Sequence, residues 1–236
     1  AAPTERPVTS VPASRSSECR CGPDNTPCSH CRWLIEMRAE RRDKLRAALE
    51  AQIPPLFLPA TVPSRLPDRE AWAKATALPG KAGRWLWLSG PSGSGKTRTA
   101  FDVLRGWSEE LQVSGAYITA HELMLRAVEA AYASKEYAFV SEWSRVPVLF
   151  IDDLGNNRLT PSMESALFGV LNNRFAHVRP TVFTTQFLFK DLRKRFDNEK
   201  LAEALERRIA EHADVVFFRR QAPSTPNEKN QKAGQS

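Results

Sequence analysis

The stretch GPSGSGKT, Gly90 to Thr97, limits what this chain can fold into more than any other. It matches G-x-x-x-x-G-K-[ST] in full, follows the apolar run WLWLS at 85–89, and opens a segment of helical character at 96–112. Gly90, Gly93 and Gly95 let the backbone turn its amides toward a phosphate at a helix N-terminus, and Lys96 adds a cation that follows the β and γ oxygens. The Thr97 hydroxyl is suited to hold Mg²⁺. Pro91, Ser92, Ser94 and Arg98 complete the set expected to surround a bound nucleotide. An empty Gly-rich turn has no need of this strand-loop-helix setting, so the segment reads as a phosphate loop.

The remaining pattern agrees with that start. After 85–89, short apolar runs recur at 116–119 (AYIT), 148–152 (VLFID), 181–185 (TVFTT) and 215–218 (VVFF). Helical stretches near 96–112, 121–143, 161–177 and 189–212 separate them. Strands apolar on both faces, alternating with helices, predict an α/β domain with a five-stranded parallel sheet covered on both sides. The start of one helix is explicit: Thr160 as N-cap and Pro161 at the first helical position.

Hydrolysis requires a second element, and VLFIDDLG supplies it. An apolar strand ending in two carboxylates places Asp152 beside the metal and leaves Asp153 to orient or deprotonate the attacking water. The pair predicts a P-loop NTPase that uses Mg²⁺.

All four cysteines lie in CRCGPDNTPCSHC, at Cys19, Cys21, Cys28 and Cys31. The first residues, AAPTERPVTSVPASRSS, contain no apolar core of the kind a signal peptide needs, so a cytoplasmic setting is expected, where clustered thiols bind metal more often than they pair. The spacing C-x-C-x6-C-x2-C is enough for a tetrahedral Zn²⁺ site, with an iron–sulfur cluster or two disulfides as alternatives. No apolar run approaches the length needed to cross a bilayer.

Four segments follow: a disordered start at 1–17, a zinc-stabilised module with its helix at 18–52, a nucleotide-binding domain at 53–218 and a basic disordered tail at 219–236. The formal net charge of +7 suits a polyanionic partner such as nucleic acid.

The order of WLWLSGPSGSGKTRTA, VPVLFIDDLG, LNNRFAHVRPTVFTTQ and LAEALERRI resembles the AAA+ ATPases of the DnaC/DnaI helicase-loader and IstB transposition-helper group. The resemblance covers about residues 53–218. It implies that Gln186, after Thr184 and Thr185, occupies the sensor-1 position, where the group usually has Asn. It also implies that Arg208, with Arg207 as rival, is the arginine that reaches a neighbouring subunit's nucleotide, and hence that the protein forms a homo-oligomer. Arg174, in NNRF, matches another arginine of the group, with its role left open.

The region between the second and third strands, with Arg126, Tyr132, Lys135, Tyr137 and Trp143, matches the part of helicase loaders that contacts single-stranded DNA; helical spacing suits the aromatics equally to a core, which is the reading for Trp143, with both readings open for the tyrosines. A zinc-binding N-terminal module is a feature of DnaI-type loaders. The resemblance therefore implies, first, an ATP-dependent loader of a replicative helicase hexamer (DnaB/DnaC type) onto single-stranded DNA. Its alternatives are a transposition helper acting on duplex DNA and a nucleotide-gated adaptor that does not hydrolyse ATP.

Overall fold

The computed structural model describes residues 27–58, 68–156, 158–188, 191 and 193–219. Cys19, Cys21, the start at 1–17 and nearly all of the tail expected at 219–236 lie outside the described residues. The chain divides into two compact units, 1–43 and 44–236. In the first, the described residues carry the N-terminal part of α1 (Ser29–Glu50), a helix with Trp33, Ile35 and Met37 exposed.

The second unit is built on a five-stranded sheet of β1 (Trp85–Ser89), β2 (Gly115–Thr119), β3 (Val148–Asp152), β4 (Thr181–Thr185) and β5 (Ala213–Phe217). Their order is β2-β3-β4-β1-β5 and every pairing is parallel. Side chains alternate between two cores. Trp85, Trp87, Ile118, Leu149, Ile151 and Phe183 face one side, packed by α4 (Ala120–Tyr132), α5 (Glu136–Arg145), α6 (Pro161–Ala176) and α7 (Glu199–His212). Leu86, Leu88, Val148, Phe150 and Val182 face the other, against α2 (Arg69–Thr76) and α3 (Lys96–Leu111). Leu49 and Ile53 are buried in this second core, so the sheet-bearing unit takes in the end of α1.

Three elements differ from the sequence expectation. The helix expected over 121–143 is two, because Ser134 takes a left-handed φ of 53° and its amide and that of Lys135 turn back to the carbonyls of Ala131 and Ala130. The helix expected over 189–212 is interrupted: Asp191 is helical, the chain leaves helical structure at 196–198, and the long helix starts at Glu199, where the Asn198 side chain caps it by accepting from Leu201 N. A short 3₁₀ turn, Arg193–Arg195, precedes it. Helix α2 carries no strong sequence signal beyond Asp68, whose Oδ1 accepts from Ala71 N at 3.0 Å and whose Oδ2 accepts from Arg219 N at 2.8 Å.

Arg174 has its answer here. It is fully buried near the end of α6, and its guanidinium donates to Thr181 Oγ1 (2.9 Å) and to the carbonyls of Trp143 (3.1 Å), Val146 (2.6 Å) and Pro180 (2.6 Å). It ties the end of α5 to the start of β4. Burial, with Arg179 nearby, pushes its pKa down to about 9, so it remains charged at neutral pH.

Candidate nucleotide site

The phosphate loop leaves β1 at Gly90, whose φ is 150°. A side chain there would meet the Phe218 carbonyl oxygen at 2.4 Å, because Phe218 N donates to Ser89 O alongside (2.7 Å). Gly93 and Gly95 have φ of 74° and 95°, a left-handed path that only glycine follows without strain. The loop ends at the N-terminus of α3, as a phosphate cradle requires.

Lys96 is nearly buried, and its ammonium donates to Pro91 O at 2.8 Å. Burial holds its pKa below the usual lysine value, while Asp153 and Asp152 oppose that shift. The Ser94 hydroxyl is buried and has no hydrogen-bond partner, as expected of a group that a ligand satisfies.

Opposite the loop, Asp152 ends β3. Its Oδ1 accepts from Thr97 Oγ1 at 3.0 Å and from the Thr184 hydroxyl. Burial raises the Asp152 pKa most, Asp153 adds to the rise, and the bonds from Thr184 and Thr97 lower it. A hydroxyl and a carboxylate already side by side at a phosphate loop form a hard oxygen donor pair, the chemistry Mg²⁺ takes. Asp153 is exposed and has a φ of 57°, a left-handed conformation held in place by Asp153 N donating to Thr184 Oγ1 (2.9 Å). Its neighbour Leu154 is fixed twice, by Leu154 N to Thr184 O (2.8 Å) and Thr185 Oγ1 to Leu154 O (2.6 Å).

Phe57, Ser92, Gly93, Gly95, Lys96, Thr97, Arg98, Asp153 and Gln186 line one cavity of about 280 Å³. The structure thus brings together Lys96, Thr97, Asp153 and Gln186, and sets Asp152 behind them. Arg98, which also lines this cavity, donates to the carbonyls of Leu56 (3.1 Å) and Leu58 (3.3 Å), holding the turn that carries Phe57.

Arg207 and Arg208 do not line this cavity. Arg208 donates to Asn172 Oδ1 (2.7 Å) and Ala204 O (3.0 Å), over the rings of Phe168 and Phe175. Arg207 is exposed, on a surface cavity with Arg193, Lys200 and Glu203. Among the described residues no group of three or more His, Cys, Asp or Glu could hold a metal ion; of the cysteine cluster only Cys28 and Cys31 are described, with Cys31 N donating to Cys28 Sγ at 3.5 Å.

Two residues at the site have no role in the sequence reading: Thr184, in the triplet that ends at Gln186, and Tyr117. The Thr184 hydroxyl donates to the Asp152 carboxylate and accepts from the backbone N–H of Asp153. Tyr117, on β2, feels the same carboxylates: burial first, then Asp152, Asp153 and Glu122, push its pKa up to about 12.

With this geometry in view, the sequence profile of the IstB-like ATP binding protein family matches residues 81–228, well over half of the chain. The chain belongs to that family. It is 28% identical over 127 residues to the ATP-binding protein of insertion sequence IS232 from Bacillus thuringiensis subsp. berliner. It is also 28% identical over 133 residues to that of IS5376 from Geobacillus stearothermophilus. In both cases 54% of this chain is covered, and it spans about half the length of these curated relatives.

Among solved structures, DnaI matches with a TM-score of 0.58 at 22% identity, over 70% of this chain and 94% of that one. The DnaC helicase loader matches with a TM-score of 0.53 at 22% identity, over 63% and 85%. These likenesses establish the AAA+ fold of the IstB-like chain. The cysteine cluster lies ahead of the matched residues 81–228.

Proposed function

We propose that this IstB-like chain is an ATPase that assembles on DNA and uses ATP to place a partner enzyme there. The observation that carries the ATPase reading is the contact of Thr97 Oγ1 with Asp152 Oδ1 at 3.0 Å, beside a cavity shared by Lys96, Asp153 and Gln186. Thr97 and Asp152 would hold Mg²⁺, which when bound offsets charge on the β and γ phosphate oxygens. Lys96 neutralises the same oxygens. Asp153, exposed and held in its left-handed turn, orients a water and accepts its proton. The Gln186 amide can donate to that water or to the γ-phosphate, one methylene further than Asn would reach. Arg208 or Arg207, being outside the cavity of its own chain, serves a neighbouring copy in the homo-oligomer.

The partner we favour is a transposase, acting with the protein on duplex DNA. Support comes from the family and from two relatives that are ATP-binding proteins of insertion sequences. A second reading, a loader of a replicative helicase on single-stranded DNA, is supported by the α4 to α5 corner. Tyr132 and Tyr137 are the most exposed large side chains there, at 89% and 85%, and flank Lys135, a combination that stacks unpaired bases. Trp143, by contrast, is a core residue. We further propose that Cys19, Cys21, Cys28 and Cys31 bind one Zn²⁺, the bond from Cys31 N to Cys28 Sγ being the kind that supports a thiolate ligand.

ATPase rates measured with duplex and with single-stranded DNA separate the two partners. Stimulation by duplex DNA that survives Tyr132→Ala with Tyr137→Ala favours the transposition helper. Stimulation by single strands alone, lost in that variant, replaces it with the loader.

A further inference from the structure

Phe57 lines the nucleotide cavity, yet it lies outside the phosphate loop and the acidic strand end, and nothing above gives it a task. Among the described residues of that lining it is the one aromatic side chain. Most of the others suit phosphate, metal or water: the loop glycines, the hydroxyls of Ser92 and Thr97, and Lys96, Asp153 and Gln186.

The chain reaches the cavity by a short turn after α1. Ile53 is buried in the core shared with α3, and Pro54 and Pro55 then restrict the backbone at the 3₁₀ turn Pro55–Phe57. Phe57 N donates to Pro54 O (2.8 Å) and Leu58 N to Pro55 O (3.2 Å). Two arginines of α3 hold this turn from outside. Arg98 donates to the carbonyls of Leu56 and Leu58, and Arg105 to that of Phe57 (3.2 Å), so three successive carbonyls each take a guanidinium N–H. Neighbouring side chains are sorted as a result. Leu56 is turned to solvent, 72% exposed, whereas Phe57 is half-buried, its ring centroid 5.1 Å from that of Phe101. Phe101 lies on α3 one turn beyond Thr97, so Phe57 is fixed close to the start of the helix that carries the phosphate cradle.

A nucleotide with its phosphates on the loop amides and Lys96 has a flat aromatic base left to place. Asp153 and Gln186 belong to the γ-phosphate end and offer no ring, while Phe57 presents one to the same cavity. We infer that Phe57 is the platform on which the base of the bound nucleotide stacks, and that Arg98 and Arg105 are positioning residues that hold its turn in place. Stacking uses the π-face common to all bases, so this contact favours a nucleotide over a bare triphosphate without choosing among bases. The inference rests on the reading of this cavity as a nucleotide site.

Calorimetric titration with ATP and, separately, with inorganic tripolyphosphate, both with Mg²⁺, tests it, because the second ligand has the phosphates and no base. Phe57→Ala is expected to weaken ATP binding about tenfold and to leave tripolyphosphate binding unchanged. Phe57→Trp, which keeps a flat ring, retains the wild-type affinity for ATP. Arg105→Met is expected to weaken ATP binding with the same selectivity, and to add nothing further when combined with Phe57→Ala, as two residues acting through one contact do. Unchanged ATP affinity in Phe57→Ala overturns the inference. An equal loss for both ligands, with a lowered melting temperature, also overturns it and assigns Phe57 to packing on Phe101. Additive losses from Arg105→Met and Phe57→Ala overturn the positioning role. A wild type that binds neither ligand overturns the underlying reading of the cavity along with the inference.

Discussion

Replacing Arg174 by Met asks whether this arginine, singled out by resemblance with its role open, acts in the nucleotide site or in the fold. Met has similar length and no donors. The change leaves the carbonyls of Trp143, Val146 and Pro180 and the hydroxyl of Thr181 without their buried partner. Pro180 O keeps its bond from Leu149 N (3.2 Å) and Thr181 Oγ1 its bond to Arg179 O (3.2 Å). The carbonyls of Trp143, Val146 and Ser144 (3.4 Å from Arg174) are therefore the acceptors left unsatisfied, and at about 1 to 1.5 kcal/mol each the gross loss is about 3 to 4 kcal/mol. Relief from burying a guanidinium with no carboxylate among these partners offsets part of it, leaving a net loss of about 2 to 3 kcal/mol.

In a unit of this size, that lowers the melting temperature by roughly 4 to 12 °C. Thermal unfolding followed by circular dichroism reads the shift, and calorimetry below the transition reads ATP affinity, which stays at the wild-type value. A variant that melts within 1 °C of wild type while losing ATP binding would refute the reasoning and move Arg174 into the site, as about 1 kcal/mol is worth at least 2 °C here.

Other consequences follow from the same geometry. Gln186→Asn restores the shorter amide usual at this position and is expected to change turnover by several-fold while leaving ATP binding alone; a changed affinity with constant turnover would remove Gln186 from the water's side of the cavity. Because burial raises the Asp152 pKa, and only its carboxylate form binds a metal, Mg²⁺-dependent ATP binding declines on acidification at a higher pH than an ordinary exposed aspartate would set, as a titration of binding against pH would reveal. Metal analysis of the purified chain is expected to find about one zinc, lost in Cys28→Ser together with Cys31→Ser; a metal-free wild type refutes the cysteine proposal.

The phosphate loop was legible because each of its residues answers a local demand: positive φ at Gly93 and Gly95, a cation at Lys96, a hydroxyl at Thr97. The strands were legible for a related reason. β1, β3 and β4, buried throughout, read as unbroken apolar runs, and all five strands fall within two residues of where the pattern put them.

The break at Ser134 was not, since a serine in a left-handed turn leaves no mark comparable to glycine or proline. The late start of α7 was hidden because part of its cap comes from far away: the Glu164 carboxylate of α6, almost fully buried, accepts from Asn198 N at 3.1 Å. Thr184 and Tyr117 escaped for a similar reason. Their surroundings depend on which strands lie side by side, and the order β2-β3-β4 becomes visible only when the sheet is assembled. Resemblance singled out Arg208 for a role in a neighbour's site, and its bond to Asn172 describes only where it rests within one chain.

The most direct test of the central claim is single-turnover ATP hydrolysis by the wild type, Lys96→Ala and Asp153→Asn, with Mg²⁺ and saturating DNA, alongside ATP binding by each. The account predicts measurable hydrolysis by the wild type, weak binding by Lys96→Ala, and near-normal binding by Asp153→Asn with turnover reduced about 10²-fold or more. Equal turnover by wild type and Asp153→Asn, or full activity in Lys96→Ala, would contradict it.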